Sequence, residues 1–219
     1  MASFLLTFVA TLVYGSFFEW AFHRNLMHRQ AFGIRHFFQG HAMTHHNIYQ
    51  GDRTYLVGDR DPDELTFSWW AFPMVPLMHT PIIVALYFAF GLPSAIAMLM
   101  ATLFYYVSYE YLHYCIHAPQ GRWIEKQALS HWLSDLHLQH HRKHFTNLNV
   151  FIPIADYVFR TRRSSASPGS EAIARIVGHV PENRRRTVFS WLKRSKVEVR
   201  STVGYLFIRM FKYTKTLTG

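Results

Sequence analysis

Ten of the fifteen histidines in this 219-residue chain fall into four spaced groups. "FEWAFHRNLMHRQ" contains His23-x4-His28, and "HAMTHH" contains His41-x3-His45-His46. "YEYLHYCIHAP" contains His113-x3-His117, and "HLQHHRKHF" contains His137-x2-His140-His141. Neutral imidazole suits iron, zinc, copper or nickel, so the ligand type marks a metal site without choosing its metal. Residues three and four apart share a helix face, so His113 and His117 can point at one ion. His137, His140 and His141 span about one turn, and the adjacent pair diverges enough to reach two different ions. A zinc site takes four ligands, so ten imidazoles make two metals the economical count. One pair fits less easily. On an ideal α-helix His23 and His28 sit about 140° apart, so the helix must end or loosen between them.

Metal-bound imidazoles usually donate their second N–H to a carboxylate or a carbonyl. Glu19, Glu110 and Asp135 lie close to the groups in sequence and are candidates for that role. His131 and His144 flank the last group as candidate extra ligands or proton carriers. His36 and His179 fit no metal spacing and read as surface histidines. His79, inside an apolar run, reads as a side chain bonded to a neighbouring helix or lying near an interface.

The elements that must position these groups are apolar helices. Half of the residues are hydrophobic and 17% are aromatic, which is heavy for a water-soluble domain. A bilayer core takes about 20 apolar residues per helix. Ala2–Phe22 supplies one span, and it lacks the basic start and small-residue cleavage site of a signal peptide. Leu65–Tyr109 carries no Lys, Arg, Asp or Glu, and Gly91-Leu92-Pro93 divides it into two spans. Pro73, Pro76 and Pro81 predict that the first of these is kinked or opens with a short interfacial helix. Three crossings result, or four if Leu65–Met78 dips in and returns.

All 23 Lys and Arg residues lie in Arg24–Arg60 or from Arg122 onward. Basic residues concentrate on the cytoplasmic side of membrane proteins, so all four histidine groups are expected there, on a bacterial inner membrane or the endoplasmic reticulum. The expected fold is all-α: an integral membrane bundle under a cytosolic histidine-rich helical cap holding a dimetal site. The single Cys115 excludes an internal disulfide.

Taken together, the four boxes resemble those of the membrane fatty acid hydroxylase and sterol desaturase superfamily. "NLNVFIPIADYVFRT" is similar to that family's closing stretch, and the likeness covers about residues 15–161. The second box has three intervening residues where the family more often has two. The resemblance implies that His23, His28, His41, His45, His46, His113, His117, His137, His140 and His141 ligate two iron ions. Zinc could take the same positions in a purified form. It further implies hydroxylation of a lipid C–H bond by dioxygen, with a fatty acyl chain, sterol or related lipid as substrate. Desaturation and carotenoid hydroxylation are alternatives within the superfamily. No side chain outside the metal centre is assigned a catalytic role. Electrons are expected from a separate ferredoxin, reductase or b-type cytochrome, because the chain carries no cytochrome domain.

Residues 1–161 therefore form the expected catalytic domain, and 162–219 a basic extension. "SSASPGS" reads as a linker. Beyond it, basic residues interleaved with Trp191, Leu192, Phe207 and Phe211 suit helices lying on anionic lipid, with no nucleic acid as partner. "FSWWAFPMVPLMHTP" is either an interfacial aromatic belt or one wall of a substrate site. A histidine-rich metal transporter is the alternative of another class. Such a protein should carry polar ligands inside its spans, whereas here only His79 does so.

Overall fold

The computed structural model describes residues 1–52, 54–57, 65–67 and 70–164. Among these, every regular element is helical. Three helices are long and apolar enough to cross a membrane. The first, α1 (Ala2–Phe22), has the bounds expected from its hydropathy and runs on into a π-helical turn, His23–Met27. After a sharp turn at Phe32-Gly33, α2 (His36–Phe38) leads into a second π-helical segment, Gln39–His45, and a single turn, α3 (His46–Ile48).

The second long helix, α4 (Ala71–Phe90), runs through Pro76 and Pro81 without a break. Of the two expected counts, three crossings or four, the described residues contain three long apolar helices. Gly91 then reverses the chain at φ +81°, a left-handed conformation open to glycine without a Cβ clash. Pro93 sits in the first turn of α5 (Leu92–His117), where its missing N–H has no intrahelical partner to lose. At about 1.5 Å per residue, the 20 residues of α4 match a hydrocarbon layer of about 30 Å. The 26 residues of α5 exceed it by about 9 Å. That surplus is long enough to carry His113 and His117 beyond such a layer.

Packing follows side-chain size. Gly15 lets α1 approach α5 closely: a Cβ there would stand 2.6 Å from the Tyr105 ring. Small residues at such contacts are what apolar helices use where lipid removes the hydrophobic drive for association. Outward-facing Leu6, Leu77, Phe88 and Phe104 leave the bundle with an apolar exterior. Beyond α5, a turn at Ile124–Lys126 leads to α6 (Ala128–Arg142), which buries Leu133, Leu136 and Leu138. Leu138 packs with Tyr55, Tyr109, Ile116 and Val150, joining the cap to the end of α5. A short α7 (Ile154–Val158) follows. The basic extension beyond residue 164, with His179, lies outside the described residues.

Candidate metal centre

The ten histidines of the four boxes meet in two groups of five, all buried. His23, His28, His41, His46 and His140 form the first; His45, His113, His117, His137 and His141 form the second. Within each group the ligand nitrogens lie within 4.8 Å of one another. His131, exposed on α6, belongs to neither group. His144 is also exposed and outside both, but its ring lies 5.4 Å from His28 and 4.4 Å from His46. His36 is exposed beside Trp70.

Helix type decides which histidine joins which group. The His28 N–H donates to the His23 carbonyl over 3.0 Å, and the His46 N–H donates to that of His41. Both are i→i+5 bonds, the π-turn pattern, which widens the turn and brings the fifth residue back over the first. The loosening required between His23 and His28 is this turn. The two five-spaced pairs both supply the first group. The four-spaced pairs His113/His117 and His137/His141, on the ordinary α-helices α5 and α6, both supply the second. The adjacent pairs His45-His46 and His140-His141 divide between the groups.

Hydrogen bonds fix which ring atom faces inward. The Nδ1 atoms of His23, His113, His117 and His140 donate to the carbonyls of Leu148 (2.5 Å), Leu65 (3.0 Å), Tyr55 (2.7 Å) and Thr146 (2.9 Å). His141 Nδ1 donates to the Tyr49 carbonyl. A carbonyl can only accept, so each of these rings carries its hydrogen on Nδ1 and, when neutral, a bare lone pair on Nε2. Two of the carboxylates expected here, Glu19 and Glu110, do other work. Glu19 accepts from Tyr105 Oη at 2.7 Å, Asn149 Nδ2 at 3.1 Å and the Val150 N–H at 2.6 Å. Glu110 accepts the Phe67 N–H. Five of the metal-group imidazoles thus donate to backbone carbonyls, while Glu19 and Glu110 accept from groups outside the metal-site imidazoles.

The inward atoms are crowded as ligand atoms that could share a cation would be. His117 and His141 each aim Nε2 at His137 Nε2 across 3.0 Å, and when the three rings are neutral these nitrogens meet with at most one hydrogen among them. His113 Nε2 is buried without a hydrogen-bond partner. In the first group, His41 Nε2 lies 2.8 Å from His23 Nε2 and 3.0 Å from His46 Nε2, and His140 Nε2 lies 3.1 Å from those of His28 and His46. Two imidazole nitrogens side by side on one ion at about 2.1 Å stand about 3.0 Å apart, and opposite ones about 4.2 Å. The close pairs in both groups, 2.8 to 3.3 Å apart, are near the first of those distances. Burial first, and then mutual repulsion, hold His41, His46, His137, His140 and His141 well below the usual imidazole range. These rings are therefore neutral at pH 7, as a metal ligand must be.

A clasp in the segment after α6 holds the first group from behind. Asp156 accepts the N–H groups of Leu148 (2.9 Å) and Asn149 (2.8 Å) and the Thr161 hydroxyl (2.6 Å). This fixes the Leu148 carbonyl that receives His23. Ser16 donates to the Ile152 carbonyl at 2.6 Å and accepts the Ala155 N–H at 3.0 Å. Sequence reasoning marked the stretch that holds Asn149 and Asp156 as a likeness without giving either residue a role, and it did not single out Ser16. The available signal was Ser16 and Glu19, two polar residues on one face of an otherwise apolar span.

An apolar cleft leads away from the first group. Its walls are one face each of α1, α4 and α5, and it encloses roughly 840 Å³ of empty space, mouth included. His23 and Met27 lie at its histidine end, and Thr11 and Thr102 line it far down the bundle. Phe67, Trp70, Met74 and Met78, from the aromatic-rich stretch before and within α4, form one side. No family model, curated protein or solved structure matches this chain.

Proposed function

We propose that the protein is a membrane dimetal monooxygenase that hydroxylates a C–H bond of a lipid with dioxygen and electrons from a separate donor. One observation carries this reading. His23 belongs both to a five-histidine group and to the lining of an apolar cleft long enough for a lipid chain. A metal group that opens onto such a cleft suits oxidation of a hydrophobic substrate better than storage or transport of the ion. The cleft supports the same preference, since its lining contains no Lys, Arg or Asp and Glu19 is its one carboxylate, already bonded to the protein.

In this reading the first group holds one iron ion and the second group another, and together the ions supply the activation of dioxygen. The chain's own contribution is positional. The carbonyls of Leu148, Leu65, Tyr55, Thr146 and Tyr49 keep a hydrogen on each Nδ1 and turn each Nε2 inward. Phe18, Phe22 and Met27 press a lipid chain toward His23 and exclude water. The side of the bundle bearing the histidines also bears Arg24, Arg29, Arg35, Arg122, Lys126, Arg142 and Lys143, which supports a cytoplasmic orientation. The same charges suit an acidic ferredoxin or b-type cytochrome as donor.

The test is expression of the chain with a reductase system under ¹⁸O₂, followed by mass spectrometry of extracted lipids. Incorporation of one labelled oxygen atom is expected, and it should vanish in His141→Ala. Loss of two hydrogens without added oxygen would identify a desaturase instead. Unchanged lipids from a metal-loaded, reducible protein would overturn the reading.

A further inference from the structure

The cleft is apolar but carries two polar atoms that the protein does not satisfy. His79, on α4, is 3% exposed, and its Nδ1 donates to the Val75 carbonyl at 2.7 Å. That bond places the ring hydrogen on Nδ1 and leaves Nε2 as an acceptor, with no partner for it among the described residues. The ring is held edge-on to Tyr14 at 5.6 Å and against Phe18 at 4.5 Å, both of which also line the cleft. Thr102, on α5, is 6% exposed, and its hydroxyl has no hydrogen-bond partner. In hydrocarbon surroundings an unsatisfied polar group is costly, so two such groups on one cleft point to a ligand that completes them.

We propose that the cleft takes a lipid alcohol, and that His79 Nε2 accepts the hydrogen of its hydroxyl group. The inference rests on the cleft being the lipid site, and it names the substrate class within that reading. The helical rise sets the register. Phe18, beside His79, precedes His23 by five residues, or about 8 Å. Thr102 precedes His113 by eleven residues, or about 16 Å. A hydroxyl held by His79 would therefore sit about 8 Å from the histidine end, and the chain of a primary alcohol would run from it along the cleft. Unsubstituted hydrocarbons would leave His79 Nε2 bare, an anionic headgroup has no Lys or Arg in the lining to meet it, and the lining's one carboxylate, Glu19, is already bonded to the protein.

The experiment compares tritiated 1-hexadecanol with tritiated hexadecane, bound to the full metal-loaded chain in nanodiscs. The wild type should prefer the alcohol. His79→Leu should weaken alcohol binding by about five- to tenfold, the worth of one buried hydrogen bond, and leave the alkane unaffected. His79→Gln, which keeps an acceptor, should recover part of the preference. Metal content per chain reports folding in each variant. Equal binding of alcohol and alkane by the wild type would overturn the proposal and mean that water alone meets these atoms. Loss of preference in Thr102→Val but not in His79→Leu would overturn the assignment to His79. These are binding measurements, so they stand apart from turnover: labelled product without alcohol preference refutes the anchor alone, and alcohol preference without product refutes the oxygenase alone.

Discussion

His140 and His141 are neighbours in sequence whose side chains serve different groups. That division gives the sharpest test of the site. Purified at saturating metal, His140→Ala should lose the ion of the first group and His141→Ala that of the second, each retaining about one ion per chain by elemental analysis. Loss of neither ion, or retention of two, would contradict the grouping. His144→Ala should keep both ions, because its ring stacks near His28 and His46 without joining them. At this scale the sequence was highly informative. The four boxes name all ten residues, and the adjacency of His140 and His141 already implied two destinations. It did not reveal that His41 pairs with His46 across a π-turn, because ordinary helical spacing places His41 with His45.

Asp156 shows how an element can govern a site it never touches. Its carboxylate gathers the segment from Leu148 to Thr161 and so presents the Leu148 carbonyl to His23. Asp156→Ala would leave two backbone N–H groups and a hydroxyl without their acceptor. Supporting interactions of this type are worth about 10- to 100-fold in metal affinity. Chelator competition should show a loss of that size at the first group and little change at the second. Such a role was hidden in the sequence for a physical reason. Two of the three partners of Asp156 are backbone groups seven and eight residues away, and backbone donors carry no residue-type signal. The carboxylates that did stand out, Glu19 and Glu110, tie helices and loops together instead.

The histidine-bearing ends of α1 and α5 are held in place by close helix contact, and Gly15 against Tyr105 is one point of it with no room for a side chain. Gly15→Leu should force α1 away from α5 and strain the Tyr105–Glu19 bond, lowering the thermal midpoint measured in detergent. Metal should act on the same global equilibrium. Ligands that bind only the folded state at 100 times their dissociation constant stabilise it by about 2.7 kcal/mol. Stripping with a chelator should therefore lower the midpoint, and refilling with ferrous iron or zinc should restore it. The helical class and the first span could be read from hydropathy almost to the residue. The continuous course of α4 could not, because Pro76 and Pro81 weaken a helix locally while its packing against α5 maintains it.

Two peptide links, His45 to His46 and His140 to His141, each tie one group of five to the other. Seating an ion in either group fixes two residues whose immediate neighbours must then serve the second. The ordering entropy met by the first ion is thus partly spared the next, and occupancy should be cooperative. Native mass spectra of half-loaded protein should show empty and doubly loaded chains above their statistical share. A binomial distribution would mean that the two ions load without reference to each other.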